Sequence, residues 1–502
     1  MFNKYPRPQL VRDNYQLLNG KWKVNGVSKD VPSCEILQEL TYIKQFNFKR
    51  IKDRVILHFD GVDQICKVYL NDNYLGEHIG GYLPFRFEIS DIVKEGKNIL
   101  RVEVVDKLDK TYPYGKQSLN PSGMWYTPVS GIWKDVWLEQ VPKKYIKDIK
   151  ITPDLKGVDL LIKIDDGKKI VEKKKRINER NPILWDVDNP HLYYREIKQG
   201  DDVVTIYYGL RKIEIIGNRV YLNNNPIFIN GVLDQGYWKD SLFIPKSYQG
   251  YIDDIKNMKQ LGINLLRKHI KVEPDCFYYE CDRLGMLVMQ DMVQSGEFHF
   301  IKEGLLATIG FNFNDRVENV DERMKFFIEH SKNIQDHLYN HPSLIAYTIF
   351  NEGWGQFNSD DVYKLLKARD DSRLYDSTSG WFKQKYNDFD SLHIYFRNKK
   401  LKPKNRPMIV SECGGYVYNT DNSDVSWGYG KCNSKDELTS SIEKLYDVMI
   451  LPYVGKGLVG IIYTQLSDVE GEVNGLYSFD RKILKVDKQR MLDIKRKIEE
   501  RL

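Results

Sequence analysis

From Asn223 onward the sequence alternates eight short apolar runs with segments of helical period, and few folds accept that pattern. The runs are IFING (227–231), INLLR (263–267), MLVMQ (286–290), LIAYTIF (344–350), LYDST (374–378), SLHIY (391–395), MIVSE (408–412) and VGIIYTQ (459–465). Between them lie segments such as YQGYIDDIKNMKQL, where Ile252, Ile255, Met258 and Leu261 recur at helical spacing before Gly262. PDCFYYECDRL before Gly285, DERMKFFIEHSKNIQDHL and the tail DKQRMLDIKRKIEE have the same period. A strand that is apolar throughout must be buried on both faces, and helical crossovers supply the outer cover. Eight such strands in about 280 residues predict a parallel (β/α)8 barrel over residues 223–502. A doubly wound sheet is the alternative.

Upstream the period is two. From Gly20 to about Val141, segments such as VILHFDGV, NILRVEVVD and DVWLEQV alternate apolar and polar residues between Asn, Asp and Gly turns, which predicts an antiparallel β-sandwich over residues 1–141. A second all-β stretch, residues 142–222, contains VDLLIKI, LYYREIK, DVVTIYYG and RKIEIIG and has the size of an immunoglobulin-like sandwich. Its lysine-rich run KKIVEKKKR is expected to be a solvated edge or loop.

At 502 residues the chain exceeds what one core supports, in keeping with several domains. Hydrophobic residues at 41% and charged residues at 29% exclude a largely disordered or collagen-like chain. A net charge of +6 over this length points to no nucleic-acid partner. The six cysteines are scattered and expected to be free thiols. The start MFNKYPRPQLVRDNYQ has no apolar stretch of signal-peptide length, and no window reads as a membrane span, so a cytoplasmic protein without a membrane partner is expected.

In a barrel of this kind, chemistry sits on the loops at the C-terminal strand ends. The fourth run is followed by Asn351 and Glu352, and the seventh ends at Ser411 and Glu412; Gly353 and Gly414 lie just beyond. Strands four and seven face each other across the mouth, where two carboxyls can flank one glycosidic bond. One would protonate the leaving oxygen while the other attacks the anomeric carbon, if they sit roughly 5 to 5.5 Å apart. The acid must be held neutral, and the nucleophile must stay ionised beside a donor such as Arg267 at the end of strand two. A lone strand-end glutamate is ordinarily a surface ion-pair partner; two in these strands argue for chemistry.

At these residues the sequence resembles glycoside hydrolase family 2. NHPSLIAYTIFNE (340–352) is similar to the family's acid/base signature, and GINLLRKHIKVEPDCFYYECDRLGMLVMQD (262–291) to its other barrel signature. LNGKW, SGIWKDVWLE and GLRKIEIIGNRVYLNNNPIFINGVLDQGYW resemble its sandwiches and barrel entry. NEGWGQF, DSTSGW and TQLSDVEGEVNGLY resemble a less studied branch. The resemblance implies a jelly-roll sugar-binding-like sandwich, an immunoglobulin-like sandwich and a TIM barrel. It further implies a retaining exo-β-glycosidase, with β-galactosidase-like activity first, a carbohydrate substrate and no cofactor. Carried over by position, it makes Glu352 the acid/base, Asn351 the donor to the sugar 2-hydroxyl and Glu412 the nucleophile. Arg267 would neighbour the nucleophile, Tyr395 would support it, and Asp234 would hold a sugar hydroxyl. Tyr347 stands where the signature usually has Trp, the spacing in RKH is one residue short, and Cys413 replaces a common tyrosine. The competing reading is a carbohydrate-binding protein whose catalysis has lapsed.

The other candidates divide between function and packing. Trp354, Trp381 and Trp238 could stack on a pyranose face or pack in the core. His269 and His393 could bond sugar hydroxyls or be satisfied structural histidines. His330, His337 and His341 lie on or beside one helix without a HExxH pattern and are read as a solvated face, so no metal is implied. GKGLVG (455–460) precedes a strand instead of following one and is discarded as a dinucleotide loop. Asp468, Glu470 and Glu472 form an acidic cluster that could meet substrate or a cation, with a surface loop the safer reading. A homo-oligomer is left open.

Overall fold

The structure, a computed structural model, describes residues 5–308, 311, 314–395, 399–420 and 426–502. The N-terminal region forms a four-stranded and a six-stranded antiparallel sheet closed over an apolar core that includes Trp22, Tyr42, Phe59, Val68 and Leu138. Alternation is visible in Gly96–Val105, whose buried residues interleave with solvent-facing ones along its ladder with Glu39–Phe48. A smaller pair of sheets follows. Tyr145–Pro153, Gly157–Asp165 and Ile170–Asn178 form one, and Tyr193–Gln199 with Asp202–Tyr208 the other. The lysine-rich run is the edge strand Ile170–Asn178, exposed along most of its length, as charged residues on an edge discourage further pairing. RKIEIIG contributes Ile213–Ile216 to a separate three-stranded sheet with Arg219–Leu222 and Asn225–Ile227. That sheet packs Val220 and Leu222 into the same cluster as Ile229, Leu265 and Ile462 of the barrel.

The eight predicted runs are the eight strands of one parallel sheet: Ile229–Asp234, Leu265–Lys268, Leu287–Asp291, Leu344–Asn351, Leu374–Ser379, Asp390–Ile394, Met408–Gly414 and Leu458–Thr464. Their spatial order is five, four, three, two, one, eight, seven, six. Strands five and six complete the ring through side chains: Ser391 Oγ donates to Asp376 at 2.6 Å and Asn387 Nδ2 to the same carboxylate at 3.1 Å. Helices lie at the predicted places, with Asp321 capping Glu322–Leu338 and Asp487 capping Lys488–Glu499 through their carboxylates. Among the described residues no helix is long and apolar enough to cross a membrane. All six cysteines are free.

The sandwiches are fastened to the barrel by buried polar contacts. Lys134 Nζ donates to the carbonyls of Tyr82 (2.7 Å) and Glu273 (3.1 Å). On the other side Asp282 accepts from the Tyr207 hydroxyl at 2.8 Å and lies 2.6 Å from His341 Nδ1. The helix histidines are therefore no solvated face. His341 is buried against Asp282, His337 pairs with Asp275 at 2.8 Å, and both ring nitrogens of His330 are buried without a partner. The helix carrying them faces the sandwiches, which its own period could not reveal.

Candidate active site

Glu412 lies inside the seventh strand, every residue of which is buried, and its register places His393 of strand six beside it. Glu352 follows the fourth strand directly. Its backbone turns left-handed (φ 54°), and its amide donates to the Ser379 carbonyl at 3.1 Å. A non-glycine residue in that region stores strain, which is common where a functional side chain is aimed. Gly353 then continues at φ 80°, and a Cβ there would fall 2.4 Å from the Phe382 ring.

The two carboxylates meet. One oxygen from each, together with a nitrogen of His393, lies within 4.8 Å of the others. His393 Nδ1 is 2.8 Å from Glu352 Oε1, and its buried Nε2 lies 3.5 Å from Glu412 Oε1 without a hydrogen bond, so one imidazole stands between the pair.

Their surroundings differ. Arg267, fully buried, donates from Nη1 to Glu412 at 3.0 Å and from Nε to Asp291 at 3.0 Å. Its Nη2 reaches Asn351 Oδ1 at 2.9 Å and Ser379 Oγ at 3.0 Å. The Tyr395 hydroxyl donates to the other oxygen of Glu412. Burial by itself would raise the Glu412 carboxyl, but His393 and Arg267 outweigh it and bring it down to about 2. Burial and the Glu412 charge together push the Tyr395 phenol well above its ordinary value, so it stays a donor. Glu352 has no arginine partner among the described residues.

The remaining candidates divide. Asn351 has its carbonyl oxygen engaged by Arg267 and Ser379, which turns Nδ2 into the group left to donate. His269 is held by Asp291 at 2.7 Å, and the Trp381 ring stands edge-on to His393 at 5.4 Å. Asp234 is engaged by Lys268 Nζ at 2.8 Å and by the Gly236 amide. Trp354 is buried and edge-packed, its indole N–H donating to the Gly296 carbonyl at 2.9 Å, so its face is not offered to a sugar. Trp238 stands against Tyr251 of the first barrel helix, with the Arg481 guanidinium 4.0 Å from its ring centroid, which is a packing position.

The acidic cluster is not a surface loop. Asp468 pairs with the buried Lys485 at 2.6 Å. Glu472 accepts from the Tyr126 hydroxyl and from Asn474 at 2.9 Å, and Glu470 accepts from the Thr127 amide at 3.0 Å. Tyr126 and Thr127 belong to the first sandwich, so these carboxylates form the seam where it meets the barrel mouth. No spacing in the sequence marks that contact. Among the described residues, Glu352, His393 and Glu412 are close enough to gather round a cation, but Arg267 already places a fixed positive charge on Glu412.

The match to family models decides the lineage. Residues 27–142 match the model described as glycosyl hydrolases family 2, sugar binding domain, and residues 213–423 the model described as glycosyl hydrolases family 2, TIM barrel domain. The chain belongs to glycosyl hydrolase family 2. Similar members of the family include a β-galactosidase of Thermoanaerobacter pseudethanolicus, 26% identical over 419 residues that make up 74% of this chain and 53% of that protein. Another is a putative β-glucuronidase of Formosa agariphila, 26% identical over 368 residues, covering 64% of this chain and 41% of its own. The chain thus spans about half or less of the length of these relatives. Among solved structures, a Ruminococcus gnavus β-glucuronidase superposes with a TM-score of 0.78 at 19% identity over 100% of both chains. A β-galacturonidase of family 2 from Eisenbergiella tayi, bound to galacturonate, gives 0.73 at 17% over 98% of both. Both likenesses support the same fold of sandwiches and barrel.

Proposed function

We propose that the protein is a retaining exo-β-glycosidase that removes a terminal β-linked sugar by double displacement. The observation that carries this is the pair of carboxylates across the mouth, close enough to act on one bond and differently surrounded. Glu352 gives its proton to the glycosidic oxygen as the bond to the anomeric carbon breaks, and a Glu412 oxygen bonds that carbon from the opposite face. Glu352, now a carboxylate, takes a proton from water, whose oxygen displaces Glu412. Two inversions restore the starting anomer. Asn351 Nδ2 donates to the sugar 2-hydroxyl, and Arg267 and Tyr395 hold Glu412 ionised and aimed.

We take β-galactosides as the first candidate substrates, supported by the β-galactosidase relative, with β-glucuronides and β-galacturonides next. The test is a panel of nitrophenyl β-glycosides offered to the wild type, Glu352→Gln and Glu412→Gln. Turnover of at least one sugar by the wild type, lost in Glu412→Gln, supports the reading; turnover of none assigns the chain to carbohydrate binding. Anomer formation followed by NMR in the first minutes tests retention, and an inverted first product defeats the double displacement.

A further inference from the structure

A cavity of about 470 Å³ lies where both sandwiches meet the barrel, and no residue of the paired-glutamate site lines it. That volume falls in the range of roughly 300–1,000 Å³ typical of small-molecule sites. One wall is the outer face of the four-stranded sheet of the first sandwich. Across the ladders of Val136–Val141, Arg54–Phe59 and Phe85–Glu88, Trp137 pairs with His58 and His58 with Arg86. Their neighbours Leu57 and Leu138 belong to the sandwich core, so alternation sets Trp137, His58 and Arg86 in one row on the opposite face. The indole and imidazole of that row stack with centroids 3.9 Å apart. The second sandwich adds Lys150 and Lys163 to the lining, and the helix Glu322–Leu338 adds His330.

The charges in the wall do not balance. Its carboxylates are engaged: Asp148 accepts from Arg7 at 2.7 Å, Asp275 pairs with His337 at 2.8 Å, and Asp336 with Arg369 at 2.9 Å. Asp60 accepts from the Trp137 indole N–H at 3.1 Å, and burial with the charges of Asp135 and Asp275 pushes its carboxyl well above the ordinary value. By contrast Arg86, Lys150 and Lys163 form no ion pair among the described residues. Glu139, whose charge reaches Arg86, is already bound by Arg12 and His58. Burial and the adjacent Arg7 charge pull the Arg86 guanidinium below its ordinary value, as expected of a cation without a counter-ion. The group that matches a guanidinium fork is a carboxylate or phosphate. Near it stand imidazole nitrogens that no protein group takes among the described residues: both of His330 and Nε2 of His78. Burial keeps these rings neutral, His78 down to about 4 and His330 to about 3, and a neutral imidazole carries one donor and one acceptor, the complement of a hydroxyl. We propose that this cavity binds a small hydroxylated organic anion, a sugar acid or sugar phosphate, with its anionic group on Arg86 and its hydroxyls on His78 and His330. Such a ligand touches both sandwiches and the barrel at once, so it stabilises their assembly whatever bond the barrel mouth cleaves.

The experiment is isothermal titration calorimetry of the full chain with glucuronate, glucose 6-phosphate and inorganic phosphate, with glucose as the neutral reference and ionic strength held constant by NaCl. Thermal unfolding is followed with the same probes. At least one of the two organic anions is expected to bind about tenfold or more tightly than glucose and to raise Tm at saturation. Arg86→Gln is expected to weaken that binding by about tenfold or more, as for the loss of a hydrogen bond between charged groups. Lys163→Gln, on the other sandwich and part-exposed, is expected to weaken it by about threefold, and decides the matter if Arg86→Gln does not fold. Glu412→Gln, in the barrel mouth, is expected to leave it unchanged. A tighter glucose 6-phosphate assigns the anionic group to phosphate, and a tighter glucuronate assigns it to carboxylate. Binding of neither organic anion above the level of glucose overturns the site. So does an affinity unchanged in both cation variants, or one lost in Glu412→Gln, which moves the anion to the mouth. Inorganic phosphate bound as tightly as both organic anions overturns the organic ligand.

Discussion

Replacing Arg267 with Met removes the one fixed positive charge between two buried carboxylates. In the native protein Glu412 and Asp291 each lie 3.0 Å from the guanidinium, and Asn351, Ser379 and the Ser411 carbonyl take its other donors. Methionine fills a similar volume but leaves both carboxylates facing an apolar group. Breaking a buried pair from one side costs about 3–5 kcal/mol, because the remaining charge has lost its counter-ion. For a barrel of this size that corresponds to a fall in Tm on the order of 10 °C. The loss depends on pH in a defined direction. Burial pushes both carboxyls up, but Arg267 and the neighbouring imidazoles hold them below their ordinary values. Their contribution is thus present above the unfolded carboxylate range, and is lost as pH falls through the folded values, about 2 for Glu412. The gap between wild type and variant should be full at pH 7, narrow below about pH 4.5 and close toward pH 2. The assay is thermal unfolding by circular dichroism at a series of pH values, alongside kcat/KM, whose acidic limb should move upward in the variant. An unchanged Tm at pH 7, or a loss that is the same at pH 3 and pH 7, would refute the assignment of Arg267 as the counter-charge.

Three further outcomes follow from the same contacts. Tyr395→Phe removes the hydroxyl that donates to Glu412 and should lower kcat/KM by about 10- to 100-fold, as for a hydrogen bond to a charged group, with the acidic limb shifted up; steady-state rates across pH check this. Asn351→Ala should cost far more on the intact sugar than on its 2-deoxy analogue, and equal losses on the two would remove Asn351 from the 2-hydroxyl. Asp282→Ala, far from the two glutamates, strips partners from Tyr207, His341 and the Ser343 amide and should destabilise the protein by about 3 kcal/mol or more, measured by chemical denaturation, while leaving KM unchanged in the surviving fold.

The barrel was legible because its strands are buried on both faces. A run such as LIAYTIF, with all eight residues of Leu344–Asn351 buried, announces itself without any knowledge of its neighbours. The two glutamates were legible only as a pair, since either alone reads as an ion-pair partner and it is their joint place at the ends of strands four and seven that argues for chemistry. His393 was legible only as a strand-end imidazole. Its place between Glu352 and Glu412 depends on the register of strands six and seven, a non-local quantity. Trp238, Trp354 and Trp381 all lie in Gly- or polar-flanked strand-end contexts, yet only the assembled molecule separates the two packing rings from the one beside His393.

The amino-acid order alone thus determined the layered architecture and the two acidic side chains, because periodicity and strand-end position are properties of short stretches of chain. The tertiary structure decided which charges those carboxylates meet, the burial of the helix histidines, and the union of Glu470 and Glu472 with Tyr126 and Thr127 some 340 residues away. It also decided the cavity between the sandwiches and the barrel. Each of these is a contact between distant segments, and its energy depends on distance and desolvation, which no local pattern encodes.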